Sequence, residues 1–244
     1  MNQKIICIIP ARYGSTRLPG KPIADLCGKP LIQHVCESVG KKFPYIVATD
    51  DERIIKAVQS FGGKAMMTKK EHPSGTDRIA EIAEKIDAEI IVNVQGDEPF
   101  IKAEQVEEAV QPLLDDSNLM MSTLCRKIKT QEDLQNPNVV KVVCDLNGYA
   151  LYFSRSIIPF PRNKQYAEYF EHIGLYTYRK EFLLKFVKWP PTKNELTESL
   201  EQLRALDHGY KIKVIETKHD SGAPCIDTLE DLEKAREFIK KHLK

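Results

Sequence analysis

Ile5-Ile6-Cys7-Ile8-Ile9, running directly into Pro10-Ala11-Arg12-Tyr13-Gly14-Ser15-Thr16-Arg17-Leu18-Pro19-Gly20-Lys21-Pro22, is the stretch that decides the fold. Five consecutive apolar residues followed by a Pro- and Gly-containing loop read as a strand buried on both faces. Such strands belong to parallel sheets, and in an open parallel sheet ligands bind beyond the carboxyl ends of the strands. Here that end delivers three cations, Arg12, Arg17 and Lys21, within ten positions, with Gly14, Ser15 and Thr16 between them. Glycine lets backbone N–H groups approach an anion, and hydroxyls add donors. Arginine offers phosphate a bidentate fork, and lysine adds a point charge. The combination suits a polyphosphate. Two familiar phosphate motifs are excluded. Gly14 and Gly20 enclose five residues and Lys21 is followed by Pro22, which breaks the P-loop pattern, and no G-x-G-x-x-G is present.

Outward from this stretch the chain alternates. Leu31, Ile32, Val35 and Val39 fall on one helical face, and residues 45–49 read as a strand. Ile54, Ile55, Val58 and Phe61 mark a second helix, with Asp50 and Asp51 as candidate caps. A short strand at 65–67 precedes a helix marked by Ile79, Ile82, Ala83 and Ile86. A buried strand at 89–95 then leads to a helix through Val106, Val110 and Leu113. This rhythm predicts an α/β fold, a mainly parallel twisted sheet with helices on both faces.

The second half changes character. Runs at 139–143 and 149–153 flank Asp145-Leu146-Asn147-Gly148, a hairpin signal that predicts an antiparallel pair. Beyond a polar, proline-containing stretch lie a strand at 174–178, a short helix at 182–187 and a Trp189-Pro190-Pro191 break. Leu196, Leu200, Leu203 and Leu206 share one helical face, 211–215 reads as a strand, and Leu229, Leu232, Ala235, Ile239 and Leu243 mark the last helix. The expected organisation is a single domain over 1–244, with the segment at about 139–190 as a small antiparallel hairpin sub-domain used in dimerisation.

Composition removes several function classes. The 244 residues carry 36 Lys and Arg against 35 Asp and Glu, a formal net charge of +1, which argues against a non-specific grip on nucleic acid. No apolar run approaches the ~20 residues of a membrane span, and the N-terminus shows no targeting segment. The six cysteines, Cys7, Cys27, Cys36, Cys125, Cys144 and Cys225, form no C-x-x-C pair. They read as reduced thiols in a cytoplasmic protein rather than a disulfide frame or a zinc site.

Two carboxylates answer the cationic loop. In Val92-Asn93-Val94-Gln95-Gly96-Asp97-Glu98-Pro99, Gly96 permits a turn and Asp97 projects at the same edge as the phosphate loop. A carboxylate facing a polyphosphate is most economically a ligand for Mg²⁺, the alternative being a cap for the next segment. Asp227, in Ile226-Asp227-Thr228-Leu229-Glu230-Asp231, is a second candidate ligand. Either Asp227 or Thr228 could instead be the N-cap of the last helix.

At this point the residues resemble a known family, the 3-deoxy-manno-octulosonate cytidylyltransferases, also called CMP-Kdo synthetases. The resemblance rests on the run from Pro10 to Pro22, on Val47-Ala48-Thr49-Asp50, on Ser74-Gly75-Thr76-Asp77-Arg78 and on Asn93 to Pro99. It continues through Tyr149-Ala150-Leu151-Tyr152-Phe153-Ser154-Arg155, His172-Ile173-Gly174-Leu175-Tyr176 and Leu200-Glu201-Gln202-Leu203-Arg204. These motifs follow the family's order over nearly the whole chain.

The resemblance implies a nucleotide-diphospho-sugar transferase-like fold, a homodimer and Mg²⁺ as cofactor. It implies CTP and 3-deoxy-D-manno-octulosonate (Kdo) as substrates, with CMP-Kdo and pyrophosphate as products for lipopolysaccharide synthesis. By resemblance, Arg12, Arg17 and Lys21 bind the triphosphate, with Gly14 and Ser15 in the same loop. Ala11, Ser74, Arg78 and Gln95 surround the cytosine, and Asp97 and Asp227 hold Mg²⁺. Lys21, Asp97, Asp227 and Arg12 are the expected catalytic set. Arg155, His172, Tyr176, Glu201 and Gln202 line the sugar-acid site. Arg155 and His172 suit the carboxylate of Kdo, while Glu201 and Gln202, neighbours on a predicted helix and about 100° apart, suit its hydroxyls. The run before the last helix departs from the family, with Pro224 and Cys225 ahead of Asp227 and Leu229 where many members have proline. Rival readings are the same reaction on 8-amino-Kdo or another 2-keto-3-deoxy sugar acid and, from a different class, a nucleotide-sensing module.

Overall fold

The apolar run that opens the chain forms β1 (Ile5–Ala11) in the computed structural model, which describes residues 4–14, 18–220 and 226–242. Cys7, Ile8 and Ile9 are fully buried; burying an aliphatic side chain of this size contributes roughly 1.5–3 kcal/mol. A short antiparallel ribbon follows, β2 (Asp25–Leu26) with β3 (Lys29–Pro30), turning through Cys27 and Gly28 at φ 56° and 88°. The sequence reading did not anticipate it. Next come α1 (Leu31–Val39), β4 (Tyr45–Thr49), α2 (Glu52–Ser60), β5 (Ala65–Met67), α3 (Gly75–Lys85) and β6 (Ile90–Asn93). β1 pairs in parallel with both β4 and β6, and β4 pairs in parallel with β5, giving the order β6-β1-β4-β5. The parallel βαβ architecture is the one predicted.

The chain clusters into two compact units, Met1–Val106 with Ser221–Lys244, and Glu107–Asp220. The first division falls within α4 (Ala103–Asp115). The second unit contains β7 (Met121–Lys127), α5 (Gln131–Gln135), β8 (Lys141–Cys144), β9 (Ala150–Ser154), β10 (Phe170–Arg179), α6 (Lys180–Phe186), α7 (Lys193–Glu198), α8 (Leu203–Asp207) and β11 (Ile212–Glu216). β7 lies between β11, which is parallel to it, and β10, which is antiparallel. β10 also pairs with β8, and β8 with β9, so the predicted hairpin is present and antiparallel. The compact unit holding the hairpin spans Glu107–Asp220, wider than the segment at 139–190. The last helix, α9 (Leu229–His242), belongs to the first unit.

Two further features differ from the sequence reading. β7 was not predicted, because Ser122 and Thr123 interrupt its apolar pattern. Both are fully buried all the same, Ser122 donating to the carbonyl of Ala109 and Thr123 to those of Ile173 and Leu175. The single helix expected from Leu196, Leu200, Leu203 and Leu206 is two helices. Ser199 takes the left-handed conformation at φ 53° and ends α7, and a turn carries the chain into α8. Among the described residues, no helix is long and apolar enough to cross a membrane.

Candidate active site

The ends of β1 and β6 meet where the sequence placed the polyphosphate site. Gly96 makes that approach possible: a Cβ there would lie 2.7 Å from the carbonyl oxygen of Pro10 and 3.3 Å from Ile32 Cδ1. The expected turn is present, with the Glu98 N–H donating to the Gln95 carbonyl at 3.4 Å, and close packing is what requires glycine there. The loop after β1 is closed at its neck by the N–H of Gly20 donating to the carbonyl of Tyr13 at 2.9 Å. Gly20, at φ 70°, starts a 3₁₀ turn over Lys21–Ile23 with Pro22 inside it, and this fixes the Lys21 backbone. The Arg53 guanidinium, itself held by Asp51, stacks 3.2 Å over the Tyr13 ring. Ser15 and Arg17, expected to bind phosphate, lie outside the described residues, as does Cys225.

Lys21 lies between the two predicted metal ligands. Its ammonium donates to Asp97 Oδ2 at 2.6 Å, to Asp227 Oδ1 at 3.0 Å and to the carbonyl of Ile226 at 2.9 Å. Burial disfavours the charge, but the two carboxylates outweigh it and hold the Lys21 pKa above its usual value. The capping question at α9 also resolves. Thr228 Oγ1 accepts from the N–H of Asp231, while Asp231 Oδ2 accepts from the N–H groups of Asp227 and Thr228. Thr228 and Asp231 thus form a capping box with aspartate in the role of glutamate, and the Asp227 carboxylate is turned to Lys21. The N–H of Ile226 donates to the carbonyl of Asp97 at 3.3 Å, joining the two carboxylate-bearing segments.

A cleft of about 290 Å³ surrounds this cluster, lined by Ala11, Arg12, Lys21, Ser74, Arg78, Gln95, Asp97 and Asp227 among others. Arg12 is exposed and forms no ion pair among the described residues; Gly14, also exposed, has open space about its Cα. Ser74 caps α3, its hydroxyl accepting from the N–H groups of Thr76 and Asp77. Arg78 is buried, with its guanidinium held by Thr68, the carbonyl of Lys69 and Asp50 Oδ2 at 3.1 Å. Asp50 therefore serves Arg78, and Asp51 alone caps α2. Gln95 Nε2 donates to Asn93 Oδ1 at 3.3 Å. His72 also lines the cleft and was missed. Its Nε2 lies 2.6 Å from Glu81. Burial works against the Glu81 charge, but Lys85, His72 and the Lys69 N–H hold its pKa at about 2. The only sequence signal was proximity to Ser74.

The five expected sugar-site residues all lie in the second unit. Three of them, His172, Tyr176 and Gln202, are in contact. His172 Nε2 is 2.9 Å from Thr123 Oγ1, and its ring meets Phe153 edge-on and lies 5.3 Å from Tyr176. Desolvation pushes the imidazole pKa down to about 3, so it is neutral near pH 7 and offers a hydrogen bond, not the positive charge suited to a carboxylate. The Tyr176 hydroxyl donates to Gln202 Oε1 at 3.2 Å, and the buried Gln202 Nε2 has no partner among the described residues. Glu201 and Gln202 stand on the turn between α7 and α8, not on the helix predicted, and the buried Arg204–Glu195 pair anchors that turn. Arg155 is spent largely on backbone, donating to the carbonyls of Glu198, Ser199 and Pro137.

Known proteins resemble this chain in sequence and in fold. The sequence matches the cytidylyltransferase family over residues 6–212. It is 52% identical to the 3-deoxy-manno-octulosonate cytidylyltransferase of Geotalea uraniireducens, covering 98% of this chain and 100% of that one. It is 51% identical to the protein of the same name from Geobacter sulfurreducens, covering 97% and 99%. A solved structure of CMP:2-keto-3-deoxy-manno-octonic acid synthetase complexed with CTP superposes with a TM-score of 0.93 at 46% identity, over 98% of this chain and 99% of that one. A 4-diphosphocytidyl-2C-methyl-D-erythritol synthase from Anaerococcus prevotii, 17% identical with a TM-score of 0.64, covers 98% and 99% and shares the fold. With a parallel sheet whose strand ends gather Lys21, Asp97 and Asp227, and with a match of this extent, the chain belongs to the cytidylyltransferase family.

Proposed function

We propose that this chain transfers CMP from CTP to Kdo, giving CMP-Kdo and pyrophosphate for lipopolysaccharide synthesis in the cytoplasm. The observation that carries the reading is the convergence of Lys21 on Asp97 and Asp227 in a cleft that also holds Arg12 and Arg78. A nucleoside triphosphate with a divalent ion needs both signs of charge in one place. The identity to relatives named for Kdo supports that sugar acid as acceptor. Five free cysteines among the described residues fit a reducing compartment.

The anomeric C2 hydroxyl of Kdo attacks the α-phosphorus of CTP in line. The new O–P bond forms as the bond to pyrophosphate breaks, and the hydroxyl proton is released. Catalysis then comes from positioning and charge neutralisation. Arg12 and Lys21, with Arg17 and the loop residues Gly14 and Ser15, neutralise and orient the phosphates. Ala11, Ser74, Arg78 and Gln95 surround the cytosine, and Asp50 and Thr68 keep Arg78 in a fixed pose. In the sugar-acid site, the unpartnered Gln202 Nε2 is satisfied by a sugar hydroxyl. Tyr176 orients Gln202, Glu201 accepts from a second hydroxyl, neutral His172 adds a hydrogen bond, and Arg155 supports the wall with two N–H groups to spare.

Asp97 and Asp227 fit Mg²⁺. Two hard carboxylates close enough to share one ammonium suit an ion that takes its other ligands from phosphate and water. When bound, Mg²⁺ supplies charge neutralisation at the reacting phosphate. A second copy of the chain is the proposed partner, through the segment at about 139–190, where Leu151, Ile157, Phe160 and Tyr166 stand exposed.

Pyrophosphate release from CTP, Mg²⁺ and Kdo tests the activity. Release that requires all three supports it. CTP binding without release would favour a nucleotide-sensing module, and faster turnover of 8-amino-Kdo would reassign the acceptor.

A further inference from the structure

A lysine ammonium has three N–H donors, and Lys21 commits all of them: to Asp97 Oδ2, to the Ile226 carbonyl and to Asp227 Oδ1. Its side chain is 12% exposed, against 36% for Asp97 and 42% for Asp227, so the ammonium is the most enclosed member of the cluster. Its backbone is fixed by Gly20 and the 3₁₀ turn, and only the side chain is left to move. Lys21 therefore cannot contact a phosphate without breaking at least one of these bonds. A divalent ion cannot join the same two carboxylate oxygens without facing the ammonium at close range, where like charges repel.

We propose that Lys21 is the resident cation of the carboxylate pair in the nucleotide-free protein. It holds Asp97 and Asp227 together and keeps a divalent ion from between them until the phosphates of an arriving nucleotide draw the ammonium away. The proposal rests on the reading of Asp97 and Asp227 as metal ligands. It gives Lys21 two successive partners, carboxylates first and phosphates second, and it makes metal and nucleotide binding mutually dependent. Because coupling of this kind is reciprocal, each ligand tightens the other by the same factor.

The test is Mn²⁺ binding to the nucleotide-free protein, followed by electron paramagnetic resonance. Lys21→Met keeps the length of the stem and removes the charge. It is expected to bind Mn²⁺ at least tenfold more tightly than the unsubstituted protein, and adding Asp227→Asn is expected to cancel the gain. Equal affinity in the unsubstituted protein and Lys21→Met overturns the proposal. The metal-ligand reading fails by a different result: Mn²⁺ binding in the presence of CTP that Asp97→Asn leaves unchanged.

If Lys21→Met does not fold, the unsubstituted protein still decides. The ¹H–¹⁵N correlation of the Lys21 ammonium, assigned with Lys21→Arg, is expected to hold its position when Mg²⁺ alone is added. It is expected to move when Mg²⁺ is added with cytidine 5′-(α,β-methylene)triphosphate. A shift with Mg²⁺ alone, or none with the nucleotide analogue, overturns the proposal.

Discussion

Gly96 lies so close to Pro10 that a Cβ on it would stand 2.7 Å from the Pro10 carbonyl oxygen. That contact joins the ends of β1 and β6 and sets where Asp97 emerges. The obstacle is backbone, which cannot rotate away as a side chain can. Gly96→Ala is expected to lower stability by about 1–3 kcal/mol, the usual range for overpacking. Chemical denaturation measures the loss, and turnover falls with it because Asp97 is displaced. Unchanged stability would mean that the strand ends separate freely.

Asp97→Asn removes the negative charge at Lys21 while keeping the size of the side chain. The kcat for CMP transfer is expected to fall about 100-fold or more, in line with the loss of one preorganised electrostatic group. CTP affinity in the absence of Mg²⁺ is expected to stay within a few-fold. Steady-state kinetics and calorimetry separate the two effects. Turnover near that of the unsubstituted enzyme would remove Asp97 from the metal site.

His172 gives the fold a defined pH dependence. Its pKa is pushed down by desolvation to about 3, against an ordinary value of 6.5. Below pH 6.5 the unfolded chain takes up a proton that the native state refuses, so this contribution to stability is complete above pH 6.5 and drains away as the pH falls toward 3. The slope approaches about 1.4 kcal/mol per pH unit. His172→Gln is expected to lack that component. Parallel stability curves for the two proteins between pH 6.5 and 4 would show that the imidazole is not held neutral.

Leu229 is the first residue of α9, directly after its cap Thr228, and is 65% exposed. This is the helix position where proline is best tolerated, since the N–H there has no partner within the helix. Leu229→Pro is expected to raise stability by about 0.4–1 kcal/mol, by restricting the unfolded chain. Thermal unfolding reads the change. A lowered melting temperature would mean that the helix entry is not as rigid as its capping box implies.

Phe160 is 84% exposed, between Ile157 and Tyr166, which are exposed as well. If this segment pairs with a second copy of the chain, Phe160→Asp is expected to shift the protein toward monomer at micromolar concentration. Light scattering on a sizing column distinguishes the species, and a dimer as stable as the original would move the interface elsewhere.

The chemistry-bearing runs were legible because each depends on local sequence. The apolar run of β1, the helical spacing of α1 to α4 and the hairpin turn at Asp145–Gly148 all act over a few residues, where pattern and conformation are directly linked. The cation density from Arg12 to Lys21 is equally local, and it marked this loop as a candidate anion site before any contact was known. β7 escaped because Ser122 and Thr123 look like surface residues until their hydroxyl partners on α4 and β10 are in place. The continuous helix through Leu196 to Leu206 failed because nothing in the spacing of its leucines registers a left-handed Ser199.

The sequence by itself determined an α/β chain with cations at one strand end and carboxylates at two distant positions, because strand burial and charge are properties of residue order. Only the tertiary structure decided that the Lys21 ammonium donates to Asp97, to Asp227 and to the Ile226 carbonyl, across separations of 76 and more residues. It also decided that His172 is neutral and that Thr228, not Asp227, caps the last helix. Those outcomes depend on distance, desolvation and competition among partners, and none of these exists until the chain has folded.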